Sequence, residues 1–324
     1  MPRSEFSLIR DYLTGLGASR EDVRLGVGDD AALLQPPAAH MLAVSTDTLV
    51  AGVHFPEDAP VASIGHKSLA VNLSDLAAMA AEPAWATLSL TLPAPDADWL
   101  RDFAGGFDAL ARKHQVALVG GDLCRGPLAI SVQITGFVPQ GRALRRDGAA
   151  VGDHIVVSGY LGDAALGLQA WQGGERQASR TSPLIDRLHR PGPRVQLGLA
   201  LRGLASAAID LSDGLASDLD HLLTASGCGA EVTLGQLPCS EAALRYAGTT
   251  AARQAALAGG DDYELCFSVP GWALPALAGI AADTGTPLSV IGRVVEKPGL
   301  RLRQPDGRLL PVSVRGYQHF SEEP

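Results

Sequence analysis

Two stretches in the first half of the chain alternate between apolar and polar residues. The stretches 84–92 (AWATLSLTL) and 128–138 (LAISVQITGFV) repeat every two residues, which is the period of a β-strand with one buried face. A helical period appears in 4–17 (SEFSLIRDYLTGLG), whose first serine is a good N-cap, and again in 98–114. The alanine-rich segment 61–81 is also predicted to be helical. The pattern therefore predicts helices interleaved with strands.

Short apolar runs bounded by turn residues continue in the second half. Strands are predicted at 155–159, 263–269 and 288–295, and a terminal hairpin at 299–312. A connection rich in glycine and arginine, 139–152, separates the two halves. We therefore predict two domains, 1–140 and 150–324, in a mixed α/β (α+β) fold.

Composition and charge narrow the class of protein. The 324 residues are 46% hydrophobic and 19% charged, as expected for a compact soluble chain. The formal net charge is −9 and aromatic residues make up 5%, which argues against nucleic acid or an anionic membrane as the main partner. The four cysteines are widely separated and are predicted to be reduced thiols in a cytoplasmic protein. No run of residues is typical of a signal peptide or a membrane span.

The stretch 26–33 (GVGDDAAL) fits the dinucleotide-binding pattern Gly-x-Gly-x-x-Gly/Ala, and Asp47 lies at a suitable distance to bind a ribose. Two adjacent prolines soon after the stretch interrupt the helix that this motif requires. The paired carboxylates of Asp29 and Asp30 also stand where pyrophosphate would approach. The dinucleotide interpretation is therefore disfavoured, and no Walker-type phosphate loop is present either.

Aspartates recur in glycine turns and at the ends of predicted strands. They are Asp29, Asp30, Asp47, Asp122, Asp210, Asp213, Asp261 and Asp262, with Glu264 close by. Each alone is most simply a turn or helix-cap residue. Asp75 differs, because it lies inside a nearly apolar helical segment where aspartate is unfavourable. As a set, such hard oxygen ligands suit several Mg²⁺ ions rather than zinc, and bound Mg²⁺ suits the transfer of a nucleotide phosphate.

Six motifs in order extend this interpretation to a family. They are VGDDAAL, VSTDTLVAGVHF, NLSDLAAMAAEP, LVGGDLCRGP, DLSDGLASDL and GGDDYEL. Together they resemble the thiamine-monophosphate kinase family, a relative of aminoimidazole ribonucleotide synthetase and selenophosphate synthetase. The resemblance runs from the first predicted helix to GYQHF near the C-terminus and so covers nearly the whole chain.

The resemblance implies a set of site residues. The implied Mg²⁺ ligands are Asp30, Ser45, Thr46, Asp47, Asp75, Asp122, Asp210 and Asp213. The implied ATP contacts are Gly121, Asp122, Arg146 and Ser212. The implied contacts with thiamine monophosphate are His54, Asp261 and Tyr317. The family usually has glutamate where this chain has Asp261, whose carboxylate is one methylene shorter.

The resemblance also implies the reaction and the assembly. The family transfers the γ-phosphoryl group of ATP to thiamine monophosphate, and we expect direct in-line transfer with no phospho-enzyme and no catalytic residue beyond the metal ligands. Its fold is the two-domain aminoimidazole ribonucleotide synthetase fold. The N-terminal sheet is shared across a homodimer, and the C-terminal domain covers the site.

Alternatives remain open at this point. From the residues alone, His54 is a histidine without a ligand, Arg146 is a solvated charge and Tyr317 packs the terminal segment. A relative that phosphorylates another acceptor, or a regulatory protein that binds Mg²⁺ or nucleotide without catalysis, would carry similar aspartates.

Overall fold

A computed structural model describes residues 4–176, 178–304 and 306–312. The chain divides into two compact units. The first unit comprises residues up to 76 together with 81–143, and the second comprises 77–80 and the chain from 144 onward.

The first unit contains three helices and six strands within the described ranges. They are α1 (Glu5–Leu8, continued by a π-helical turn at Ile9–Leu13), β1 (Val23–Leu25), β2 (Leu33–Leu34), β3 (His40–Val50), α2 (Val61–Ala78), β4 (Glu82–Leu92), α3 (Ala97–Lys113), β5 (Ala117–Arg125) and β6 (Ala129–Pro139). The last residues of α2 are counted with the second unit. The predicted N-cap is present, since the Ser4 hydroxyl accepts a hydrogen bond from the Ser7 N–H at 3.3 Å.

Strands β3, β6, β4 and β5 form a sheet in that order, with β4 and β5 parallel and the other neighbours antiparallel. One face of this sheet is covered by α2, where residues such as Ile130 and Val132 are fully buried. The other face carries the polar half of the predicted alternation. On that face the β3 side chains Leu42 and Val44 are 49% and 57% exposed.

A small hairpin of β1 and β2 covers one end of the second face. Val23 and Leu34 pack there against Trp85 and Phe137, whose rings meet edge to face at 4.9 Å. This hairpin lies where the dinucleotide interpretation would require a helix, so the structure agrees with rejecting that interpretation.

Helices α2 and α3 approach each other closely at two glycines. A side chain at Gly65 would overlap the main-chain carbonyl of Phe103, and one at Gly106 would overlap that of Ala62. Glycine at both positions therefore sets the distance between the helices.

The second unit contains six helices and seven strands within the described ranges. They are β7 (His154–Ser158), α4 (Asp163–Gln172), α5 (Ser182–His189), α6 (Val195–Ala200), β8 (Ala207–Asp210), α7 (Leu215–Ser226), β9 (Gly229–Thr233), α8 (Glu241–Ala258), β10 (Leu265–Val269), α9 (Leu274–Thr284), β11 (Leu288–Val295), β12 (Gly299–Arg303) and β13 (Leu309–Pro311). Short 3₁₀ turns occur at Leu234–Gln236 and Gly271–Ala273.

The seven strands form one sheet in the order β13, β12, β9, β11, β7, β10, β8. Only β12 and β9 pair in parallel. Strand β7 is apolar and nearly completely buried, as is β10, which explains why their sequences are short apolar runs rather than alternating ones. Strands β12 and β13 are the predicted terminal hairpin.

The predicted mixed α/β class is confirmed. All four cysteines are free thiols. Among helices within the described ranges, none combines the length and apolar character needed to cross a membrane.

Candidate active site

A pair of carboxylates lies where β3 meets α2 in the first unit. Residues 45 and 47 face α2 because β3 alternates, and the register pairs them with the buried residues Ile134 and Val132. The Ser45 hydroxyl donates to the Asp75 carboxylate. The carboxyls of Asp47 and Asp75 are hydrogen-bonded to each other. Burial, reinforced by the neighbouring charge of Asp75, raises the pKa of Asp47 to about 7.

This cluster is chemically suited to Mg²⁺. Two carboxylates this close together repel each other when both are ionised, and a divalent ion stabilises them as a pair of anions. Their oxygens, with the Ser45 hydroxyl, are the hard ligands that Mg²⁺ prefers. Across the described part of the chain, no three His, Cys, Asp or Glu side chains are close enough together to hold a metal. Phosphate oxygens and water commonly complete the coordination of Mg²⁺ in kinase sites.

Two other predicted ligands of the first unit lie on the opposite face of the sheet. Thr46 pairs with Gln133, and its side chain points away from Asp47 because neighbouring residues of a strand alternate. Asp122 pairs with Ser89 on the exposed face of β5. Strand β5 is three strand spacings from β3, which is about 14 Å. Within one chain, the Asp122 and Asp47 side chains therefore do not meet at one ion.

Asp29, Asp30 and Gly121 are further residues of the first half that the sequence singles out. Asp29 accepts a hydrogen bond from the N–H of Asp30 at 2.8 Å, which makes it a turn residue. The carboxylate of Asp30 is exposed, and no side chain in the described ranges donates a hydrogen bond to it. Gly121 has φ +154°, and a Cβ there would overlap the carbonyl of Leu88. The close pairing of β5 with β4 therefore requires a glycine at position 121.

His54 lies in the tight turn that follows β3. The Val50 N–H donates to Nδ1 of the His54 ring at 3.0 Å. Because a main-chain N–H can only donate, Nδ1 has to be unprotonated, and the neutral ring carries its hydrogen on Nε2. The buried ammonium of Lys67, on α2, donates to the His54 carbonyl at 3.1 Å. These two hydrogen bonds therefore fix the tautomer of the His54 ring and the position of its main chain.

In the second unit, predicted residues cluster at the end of β8. Asp210 is the last residue of this strand and is buried. The following turn carries Ser212 and Asp213, and its shape is held by Asp218 from the first turn of α7. One oxygen of Asp218 accepts the N–H groups of Asp213 and Gly214, at 3.0 and 3.1 Å. Burial raises the pKa of Asp218 to about 7.

The loop 259–264 carries Asp261, the predicted substrate contact, and is hydrogen-bonded to Ser212, the predicted nucleotide contact. The N–H of Asp261 donates to the carbonyl of Ser212 at 2.8 Å. The hydroxyl of Tyr263 donates to the Asp261 carboxylate at 3.1 Å. The neighbouring Asp262 is buried, and burial raises its pKa well above the ordinary value. The structure thus brings Asp261 and Ser212 together within the second unit.

Two predicted residues are outside these clusters. Arg146 is exposed, and its carbonyl accepts a hydrogen bond from the Ser226 hydroxyl at 2.7 Å. Tyr317 lies outside the described residues. Both assignments stay predictions.

Three supporting residues were not predicted from the sequence as parts of the site. Asp218 and Glu264 stand inside the quoted motifs DLSDGLASDL and GGDDYEL, but their contacts depend on the folded loops. Lys67 lies in α2 and donates to the His54 carbonyl. A charged residue in an otherwise apolar, buried helix is the signal that would have found it.

Two family models and a curated relative match nearly the whole chain. The family model of the AIR synthase related protein N-terminal domain matches residues 28–138, and that of the C-terminal domain matches 150–304. The thiamine-monophosphate kinase of Salmonella typhimurium is 48% identical over 324 residues, which covers 99% of each chain.

Solved structures give the same picture. The crystal structure of thiamine-monophosphate kinase from Stenotrophomonas maltophilia K279a is 48% identical and superposes with a TM-score of 0.87 over 96% of this chain and 99% of that one. A structure described as AaThiL complexed with AMPPCP and TMP is 31% identical, with a TM-score of 0.79 over 97% and 96% of the two chains. The chain belongs to the thiamine-monophosphate kinase family, within the wider group of AIR synthase related proteins.

Proposed function

We propose that the chain transfers the γ-phosphoryl group of ATP to thiamine monophosphate, giving thiamine diphosphate and ADP. The observation that carries the proposal is the cluster of Ser45, Asp47 and Asp75, formed by motifs that match the family over nearly the whole chain. Such a cluster of hard oxygen ligands is what a Mg²⁺-dependent phosphoryl transfer requires.

The chemistry needs positioning more than proton transfer. The acceptor is a phosphate monoester whose second pKa is about 6, so it is already largely ionised at neutral pH and needs no general base. The main obstacle is the repulsion between the acceptor phosphate and the ATP phosphates. Mg²⁺ held by Asp47, Asp75 and Ser45 would shield that repulsion. Asp210 and Asp213 are proposed as further Mg²⁺ ligands, and Ser212 as an ATP contact.

The substrate contacts follow from charge and hydrogen-bonding capacity. From its place in the family motif, His54 is proposed to donate a hydrogen bond to a phosphate or hydroxyl oxygen of thiamine monophosphate. The carboxylate of Asp261 suits the positively charged thiazolium ring rather than the phosphate. Thiamine monophosphate therefore presents both charges that these two side chains complement.

The direct test incubates the pure chain with ATP, Mg²⁺ and thiamine monophosphate and measures thiamine diphosphate and ADP. Equal amounts of the two products are expected, and other phosphate monoesters should give much less ADP. Asp47→Ala and Asp75→Ala should each lower kcat by at least about 100-fold with an unchanged circular dichroism spectrum. Asp98→Ala, at an exposed position of α3, is the matched control. Near-normal turnover in either test variant would exclude the proposed metal ligands.

We also propose that the chain forms a homodimer through the exposed face of the first unit's sheet. Leu42 and Val44 stand half-exposed or more on β3, on the face that α2 does not cover. Exposed apolar residues grouped on one strand are typical of a protein interface. The edge position of β3 would also allow strand pairing with a second copy.

A further inference from the structure

The loop that carries Asp261 has an unusual backbone. Asp261 has φ +69° and Tyr263 has φ +50°, both in the left-handed region that side chains with a Cβ avoid. Such conformations persist only where surrounding contacts fix them. Two main-chain hydrogen bonds help to fix the conformation of this loop. The N–H of Tyr263 donates to the Leu211 carbonyl, and the N–H of Leu211 donates to the Glu264 carbonyl, each at 2.8 Å.

Beneath the loop, one buried carboxylate joins two arginines. Glu264 is completely buried and accepts hydrogen bonds from Arg187 Nη2 at 2.7 Å and from Arg194 Nε at 2.6 Å. The Ser158 hydroxyl donates to it at 2.5 Å. A side chain at Gly159 would overlap the carboxylate, so the space is filled. A buried carboxylate with this many charge-assisted bonds is a rigid point of the structure.

The cluster reaches the strained residues through two further contacts. Nη2 of Arg187 donates both to Glu264 and to the main-chain carbonyl of Asp262, at 3.0 Å, between the two left-handed residues. The hydroxyl of the buried Tyr263 side chain donates to the Asp261 carboxylate at 3.1 Å. Arg187 thus fixes the main chain next to Asp261, and Tyr263 fixes the Asp261 carboxylate.

We propose that Arg187, Glu264 and Tyr263 are positioning residues that hold the Asp261 carboxylate where it meets thiamine monophosphate, an inference that rests on the proposed function. None of the three touches the substrate in this assignment. Aspartate has one rotatable bond fewer than the glutamate usual in the family, so its carboxylate is placed mainly by the main chain. These three residues, here called the clamp, therefore determine how well this chain binds its acceptor.

The kinetic test uses the full chain with ATP, Mg²⁺ and thiamine monophosphate. Tyr263→Phe removes only the hydroxyl that bonds Asp261. The KM for thiamine monophosphate should rise about 10-fold, while kcat and the KM for ATP change by less than about 3-fold. Arg187→Met should have a larger effect on the same KM. Arg187→Lys, which keeps the charge but not the forked geometry, should recover part of it.

Matched controls come from the same helix and the same residue type. Arg190→Met lies three residues beyond Arg187 at the exposed end of α5, and Tyr246→Phe removes a hydroxyl from a partly buried tyrosine of α8. Both should have wild-type KM values. Melting temperatures of all variants separate a general loss of stability from a local effect.

A second readout is independent of turnover. Hydrogen exchange of the amides in 259–264 should be at least about 10-fold faster in Arg187→Met than in the wild type, with no change in strand β9. If the wild type makes no thiamine diphosphate, the proposed function fails, and the exchange rates still decide whether the clamp exists.

Two results would overturn the inference. One is an unchanged KM for thiamine monophosphate in Tyr263→Phe. The other is an equal loss of melting temperature, kcat and both KM values in the Arg187 variants, which would mean a purely structural role.

Discussion

At the scale of single residues, the site depends on side chains whose protonation and orientation are set by one fixed neighbour. Asp47 shares a hydrogen bond with Asp75, and the Ser45 hydroxyl completes the group. His54 is similar, because the Val50 N–H fixes which ring nitrogen carries the proton. Function at this scale is a matter of which atom can donate and which can accept.

The His54 geometry predicts a measurable tautomer. Nitrogen-15 NMR of the protein near neutral pH should show Nδ1 as the unprotonated nitrogen and Nε2 as the protonated one. The exposed His40 offers a comparison in the same spectrum. Observation of the Nδ1–H tautomer would contradict the hydrogen bond from Val50 and, with it, the proposed donor role.

The family motifs place the acid pair correctly in the chain, but they do not show the direction of every side chain. Ser45, Asp47 and Asp75 were predicted together, and the structure brings them together. Thr46 was predicted beside them, yet it lies on the other face, because a motif read as a row of letters conceals the alternation of a strand. The contacts of Asp218 could not be predicted, since they depend on a loop bending back to the helix that follows it.

At the scale of elements, the distance between α2 and α3 depends on Gly65 and Gly106, which have no side chain to separate the helices. Gly106→Ala would place a methyl group against the Ala62 carbonyl and push the helices apart. We expect the free energy of unfolding to fall by about 1–3 kcal/mol, measured by urea titration.

The neighbouring glycine gives the control. Gly105 lies in the same helix, and a Cβ added there would meet no atom within 4 Å. Gly105→Ala should therefore stabilise the chain by about 0.5–1 kcal/mol, because alanine has the better helix propensity. Equal effects of the two substitutions would show that propensity, and not the close approach, governs this pair of helices.

The end of α3 predicts a pH dependence of stability. Burial, with smaller contributions from the charges of Lys113 and His66, lowers the pKa of His114 to about 4. The unfolded chain binds a proton at this histidine below about pH 6.5 while the folded chain does not. The stabilisation is therefore complete above that pH and is lost as the pH falls towards the folded pKa.

The measurement compares urea unfolding at about pH 7 and about pH 5. His114→Gln should reduce the loss of unfolding free energy between the two conditions, whereas His40→Gln, at the exposed start of β3, should leave it unchanged. An unaltered pH dependence in His114→Gln would assign the effect to other groups.

At the scale of the whole molecule, both predicted halves follow the mixed α/β pattern, and the family models match one half each. The alternating strands and the long helices were predictable because their periods are local properties of the sequence. The order of the seven strands in the second unit was not, since pairing such as that of β9 with β12 joins segments about 70 residues apart through contacts that no local period encodes.

The proposed dimer predicts a mass in solution of twice the chain mass of 33.6 kDa by sedimentation equilibrium. Val44→Lys should shift the equilibrium to the monomer, because a charge on the exposed sheet face would be buried without a partner. Val151→Lys, at a comparably exposed valine of the second unit, should leave the dimer intact. A wild-type monomer at micromolar concentration would rule out the interface.

The hydrogen bond from Asp261 to Ser212 has a thermodynamic consequence. If Ser212 contacts the nucleotide and Asp261 contacts the acceptor, as proposed, a substrate that orders one of these residues would also order the other. Each substrate would then lower the entropic cost of binding the second, and the enhancement would be identical in both directions because linkage is reciprocal. Cooperative binding of the two substrates would in that case originate in a single main-chain contact, without any movement of one unit against the other.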